Sequence, residues 1–317
     1  MDWTIFAGVV GGVFLLWVLL ENKTSRPDGT PVKHHPYRKI MWYIMPRRDD
    51  GVVYFEHDVV ADKLLDYVEQ ANKRFDCSVS TVLLAATARA LIQTPAMDRF
   101  VVGNRMYQRK QPSISFAMKR KRKDKSSKLA TVKQPIGQDD TIESIANAVL
   151  ARVSVERTDA KTYADKEYAL FNMLPRPFFK VAHRLFRTLD YYNLLPGSFI
   201  ENDPLYTSVF LAFLGSVNLD SAYHHLFEHG TCPLFITYGK VMDRVVVIDG
   251  QAVVKPTIRF KVTYDERVDD GMTAGDGMYK MIATIEDPFL HLGCLAEDGS
   301  DAYKFGEDRP KTWQTCG

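Results

Sequence analysis

Cysteine is scarce: four residues in 317 (Cys77, Cys232, Cys294, Cys316), scattered, with no CxxC pair. That spacing excludes a disulfide framework and a thiolate metal site, so reduced and mostly buried thiols are expected, with no metal. An excess of one charge is also missing. Lys and Arg number 41 against 39 Asp and Glu, a net charge of +2 that gives no global pull toward a polyanion. That net charge by itself says nothing about partners, and nucleic acid is not an expected one. No internal repeat is present, which argues against a solenoid. With 46% hydrophobic and 25% charged residues, the chain has material for one large or two modest folded domains.

One long hydrophobic run is present. Trp3 to Leu20 holds eighteen residues without a charge, and as a helix it would span ~27 Å, about one bilayer core. Trp3 and Trp17 stand near its ends, where aromatic belts form. A cleaved signal peptide fits less well. Asp2 replaces the basic leader, the apolar run is long, and no small-x-small site precedes Glu21. Lys23, Arg26, Lys33, Arg38, Lys39, Arg47 and Arg48 all follow the run. The positive-inside rule then predicts a single-pass protein of the inner (cytoplasmic) membrane, anchored by residues 1–21, with its C-terminal domain in the cytoplasm.

Residues 22–50 read as a basic, proline-containing linker (Pro27, Pro31, Pro36, Pro46) lying along an anionic leaflet. His34-His35 is a polar pair whose side chains point apart, a poor metal site. Folding is expected from Gly51. A strand over Val52–Asp58 leads to a helix that Asp58 could cap, with Ala61, Leu64, Leu65, Val68, Ala71 and Phe75 at helical spacing. Ser80–Gln93 is apolar almost all round and so predicts a buried helix ended by Pro95. Strands follow near Arg105–Tyr107, Ser113–Lys119 and Leu129–Gln134, then a helix over Thr141–Val155. The basic tip at 119–125 reads either as a solvated loop or as a clamp on anionic lipid or coenzyme A phosphates. Further on, Phe178, Ala182, Leu185, Phe186 and Leu189 share a helical face away from Lys180, Arg184 and Arg187. Such a helix either packs on the domain or lies in a membrane interface.

Thr257–Gly271 carries the densest signal. Val262 and Tyr264 alternate with Lys261 and Thr263 as in a half-buried strand, which then breaks into Asp265, Glu266, Arg267, Asp269, Asp270 and Gly271. Tyr264-Asp265-Glu266-Arg267-Val268-Asp269-Asp270-Gly271 resembles the [FY]-D-H-R-x-x-D-G motif of the 2-oxoacid dehydrogenase acyltransferase catalytic domain, which shares its fold with chloramphenicol acetyltransferase. Glu266 stands where that family keeps its general-base His. The family's oxyanion-binding Ser lies in a strand close to T-[IV]-S-N-L-G; the best match is Phe210–Gly215, which puts Ala212 at the Ser position, with Ser208 and Ser216 out of register. Tyr223-His224-His225-Leu226-Phe227-Glu228-His229-Gly230 resembles HHxxxDG without its Asp. It is either a packed loop or a source of a substitute base, His225 or His229.

The resemblance covers about residues 51–288, with 158–204 as an insertion and 289–317 as a loose tail. It implies an α/β, chloramphenicol acetyltransferase-like mixed-sheet sandwich that forms homotrimers or larger assemblies. It also implies coenzyme A or acyl-CoA as substrate, and Glu266, Arg267 and Asp270 as site residues, Arg267 and Asp265 bracing the turn. The region between anchor and domain is too short for a lipoyl or subunit-binding module. Two functions follow: a membrane-bound acyltransferase with Glu266 or a nearby His as base, or a non-catalytic trimeric scaffold or ligand-binding protein that keeps the fold.

Overall fold

The computed structural model describes residues 3–120, 129–157, 173, 175–293, 295–296, 298 and 300–307. Most of the basic tip at 119–125, residues 158–172 of the expected insertion, and Cys294 and Cys316 lie outside them.

Helix α1 (Trp3–Asn22) buries none of its residues. It is long and apolar enough to cross a membrane, a test that a signal sequence also passes. The following residues are not a detached linker. Strand β1 (Gly29–Pro31) pairs with a later strand, and α2 (Pro36–Ile44) buries Trp42. A large indole beside an apolar core is worth roughly 2–3 kcal/mol to bury, which is why this segment joins the domain. His35 caps α2 by accepting from the Tyr37 amide at 3.3 Å, and His34 packs on the Trp42 ring.

Strand β2 (Val52–Val60) runs into α3 (Asp62–Ala71) and then α4 (Val79–Gln93). Asp58 does not cap α3. It sits opposite Arg259 in the adjacent strand and accepts two hydrogen bonds from it at 2.7 Å, a charge-assisted pair that outcompetes a cap. Helix α4 is buried nearly all round, as its composition predicts, and Ser78 and Thr81 form a capping box at its start. Strands β3 (Arg99–Val102) and β4 (Arg105–Arg109) complete a three-stranded sheet with β1.

Strands β5 (Ser113–Lys119) and β6 (Leu129–Pro135) precede α5 (Ile142–Glu156), α6 (Arg176–Tyr191) and α7 (Gly197–Asn202). Strand β7 (Val209–Phe213), two long strands β8 (Leu234–Ile248) and β9 (Gln251–Asp265), α8 (Gly271–Glu286) and α9 (Pro288–His291) follow. The main sheet has order β2-β9-β8-β7-β5-β6, parallel at β5/β7 and β7/β8 and antiparallel elsewhere. Asp249 and Gly250, both at positive φ, close the β8–β9 hairpin as an Asp-Gly turn should. The strands on both sides of that turn run on into the main sheet, interrupted only by a register shift between Tyr238 and Val241.

Alternate residues of β9 (Ile258, Phe260, Val262, Tyr264) face α3, α4 and α8 and form the main core with them. The opposite face carries a smaller cluster of Phe210, Leu226, Cys232 and Phe235. Part of the expected loose tail is packed: Leu292 and Phe305 are fully buried, and the Phe305 amide bonds the Asp140 carbonyl. Cys77 and Cys232 are free and buried, and burial pushes their thiols up to about 12 and about 11.

Candidate functional site

The charged turn that ends β9 is held by one buried ion pair. Asp265 is 1% exposed and accepts from Arg267 Nε and Nη2, both at 2.8 Å. Arg48 approaches the same carboxylate at 3.6 Å. The guanidinium of Arg267 also reaches the carbonyls of Met45 and Pro46, and Trp42 Nε1 donates to the Arg267 carbonyl at 3.1 Å. Gly51 is required here, because a Cβ at that position would lie 2.8 Å from Arg267 Cγ. Its carbonyl accepts from the Glu266 amide at 2.8 Å. Desolvation works against the charge on Arg267, but Asp265 outweighs it and the guanidinium is held more strongly protonated than usual.

With Tyr264, Asp265, Arg267 and Val268 all buried, Glu266 is the residue of this stretch that projects outward. Asp269 receives Arg38 at 3.2 Å and Arg99 at 2.7 Å. Asp270 is the N-cap of α8, its Oδ1 accepting from the amides of Met272 and Thr273.

Glu266 and Ala212 are not brought together within one chain. Ala212 lies opposite Thr237, and Thr237 opposite Lys261. Glu266 is therefore five residues farther on, ~16 Å along the strands and two strand spacings (~10 Å) across. The Ala212 side chain packs against the Phe210 and Phe235 cluster. Ser208 is committed to the sheet, its Oγ accepting from the Ser113 amide at 2.9 Å, and Ser216 donates to the Phe213 carbonyl.

The His-rich loop folds under the turn. Glu228 accepts from the amides of Arg48 and Asp49, while Arg48 donates to the carbonyls of Phe227 and Gly230. His224 stacks on Phe235 at 3.9 Å, and burial lowers its pKa. His225 faces the Leu226 carbonyl at 3.0 Å. His229 contacts Asp203 at 2.7 Å. Burial opposes its protonation, but the hydrogen bond and charge of Asp203 prevail and raise its pKa above 6.5. His229, Arg48 and Arg267 line one small cavity of about 110 Å³. A larger, mainly apolar cavity of about 500 Å³ lies between α4, α5 and the ends of β5 and β7, and Ala212 and Phe213 reach its wall. Among the described residues no group of three or more His, Cys, Asp or Glu side chains could hold a metal ion.

Sequence reasoning missed Arg48, Trp42 and Gly51 as supports of the turn. Their partners lie more than 170 residues away in the chain, and Arg48 reads only as part of a basic run.

This arrangement, a mixed sheet with helices on one face and a braced strand-end turn, is the chloramphenicol acetyltransferase-like fold. Solved structures of acyltransferase catalytic domains share it. One is a probable dihydrolipoamide acetyltransferase from Listeria monocytogenes, with TM-score 0.53 and 14% identity over 86% of this chain and 98% of that one. Another is the dihydrolipoamide acetyltransferase of Azotobacter vinelandii, with TM-score 0.53 and 14% identity over 82% and 93%. A third is the truncated catalytic core of the 2-oxoacid dehydrogenase multienzyme complex from Thermoplasma acidophilum, with TM-score 0.50 and 13% identity over 82% and 99%. No family model and no curated protein sequence matches the chain.

Proposed function

We propose that this chain is a membrane-anchored, acyltransferase-like protein that moves an acyl group from a thioester of the coenzyme A type to an acceptor, in a site completed by a second copy. The observation that carries this reading is the distance between Glu266 and Ala212 along one sheet, set against a turn so strongly braced that Glu266 must face outward. A site that used both positions would need Glu266 from one protomer and the β7 end from its neighbour. The acceptor gives its proton to the Glu266 carboxylate and bonds the acyl carbon through its sulfur or oxygen. The donor's C–S bond breaks, and its thiolate takes up the proton. Arg267 and Asp270 position Glu266, the first through Asp265 and the second through the start of α8.

Several features support assembly and anchoring. On the β8–β9 hairpin, Val245, Val247 and Val254 are each at least 66% exposed, with Val245 paired to Val254. β-branched residues on a projecting ribbon suit a contact with another copy, here proposed as a homotrimer. The end of α1 is tied into the fold: Arg105 donates to the Glu21 carbonyl and Asn193 Nδ2 to the Lys23 carbonyl. A segment so fixed suits a retained anchor, with the basic residues after it on the cytoplasmic side.

A second reading, a non-catalytic scaffold, is favoured by the Ala212 methyl at the oxyanion position. Loss of an oxyanion donor typically costs 10²–10³-fold, and loss of a positioned base 10²–10⁴-fold. Transfer from an acyl thioester by the full-length protein in lipid nanodiscs separates the two readings. An enzyme should lose at least ~100-fold in rate on Glu266→Gln. Transfer that appears only in the double variant Ala212→Ser, Glu266→His would identify the scaffold and overturn the enzyme reading.

A further inference from the structure

We propose that the exposed apolar faces of α2 and α6 lie in the headgroup layer of the membrane that α1 enters, so that the domain rests on the bilayer. This inference rests on the reading of α1 as a retained anchor.

On α6, Phe178, Val181 and Leu185 share one face and are each more than half exposed. Toward the C-terminus the same stripe turns inward, where Phe186 and Leu189 pack on Leu195, Ile200 and Tyr206. The domain therefore covers one half of the stripe and leaves the other open. Lys180, Arg184 and Arg187 occupy the opposite side, the pattern of an interfacial helix at an anionic surface. Helix α2 has the same character for a separate reason. Buried Trp42 and the Arg38–Asp269 pair fix its rotation, which leaves Tyr37, Ile40, Tyr43 and Ile44 exposed.

The C-terminal ends of both helices lie by the foot of α1. Tyr192 Oη bonds Glu21 at 3.3 Å, and Arg26 pairs with Asp190 at 2.7 Å, which fastens the last turn of α6 to the foot of α1. Pro46, just past the end of α2, lines the same small cavity as Asp190 and Tyr191, which puts the C-terminal end of α2 beside the last turn of α6. An apolar, cation-bearing surface at the foot of a membrane-crossing helix has lipid within reach, whatever partner proteins are present.

The test uses the full chain in anionic-lipid nanodiscs, with p-benzoylphenylalanine installed singly at Val181, Ile40, Val13 or Lys63 and the photoproducts read by mass. Val13 reports the anchor. Lys63, ion-paired with Asp287 at the far end of α8 from the Arg38–Asp269 contact, reports the aqueous side. The expected result is phospholipid adducts at Val13, Val181 and Ile40 and none at Lys63, with the Val181 yield falling several-fold in neutral lipid. Lipid adducts at Val13 alone would overturn the proposal and leave the anchor standing. Chain-to-chain adducts at Val181 and Ile40 would assign the faces to a second copy and also overturn it. No lipid adduct at any position would remove the anchor reading and this one with it.

Discussion

Replacing Arg267 with Met tests the physical basis of the turn. The Arg267 side chain is 6% exposed and gives Asp265 two 2.8 Å hydrogen bonds; without it the carboxylate, itself 1% exposed, keeps the backbone amide of residue 267 at 3.2 Å and Arg48 at 3.6 Å as its nearest cation. Breaking a buried pair by removing one partner costs ~3–5 kcal/mol, because the survivor is a desolvated charge. The loss of donors to the Met45 and Pro46 carbonyls acts in the same direction. At ~2–4 °C per kcal/mol for a domain of this size, Arg267→Met should lower the melting midpoint by ~6–20 °C. Adding Asp265→Leu removes the stranded charge and should recover much of that loss, so that the pair shows a coupling of ~2 kcal/mol or more. Thermal melts of the full chain followed by near-ultraviolet circular dichroism provide the measurement. A shift below ~3 °C for Arg267→Met, or simple additivity in the double variant, would refute the argument that this pair holds the turn.

Asp270→Ala removes the α8 cap and should cost ~1 kcal/mol, whereas Asp270→Ser should recover most of it; the same melts decide. Because Asp203 raises the His229 pKa above 6.5, the pair contributes its full stability below about pH 6.5 and loses it as the pH rises through the folded-state value. Nuclear magnetic resonance titration of His229 should show the raised value, and Asp203→Asn should lower it; an unchanged titration would contradict the assignment. The full chain should resist carbonate extraction from membranes, and deletion of residues 1–21 should abolish that resistance. Release of the full chain at high pH would rule out the anchor.

Local chemistry made several elements legible in the sequence. An uninterrupted apolar run can only be α1, an apolar surface on every side forces α4 inside, and Asp249-Gly250 suits a turn with both residues at positive φ. The turn after β9 was also legible, because Asp265 and Arg267 are two residues apart and their pairing is set by local geometry. Tertiary structure decided what those elements do for one another. Trp42 and Arg48, within a segment that reads as a linker, became supports of the turn through contacts about 180 to 225 residues distant, which no local pattern encodes. Asp58 left its expected helix cap because strand register placed Arg259 opposite it. Register likewise set Glu266 far from Ala212, and packing left half of the α6 stripe open, since both depend on where other strands and helices come to rest.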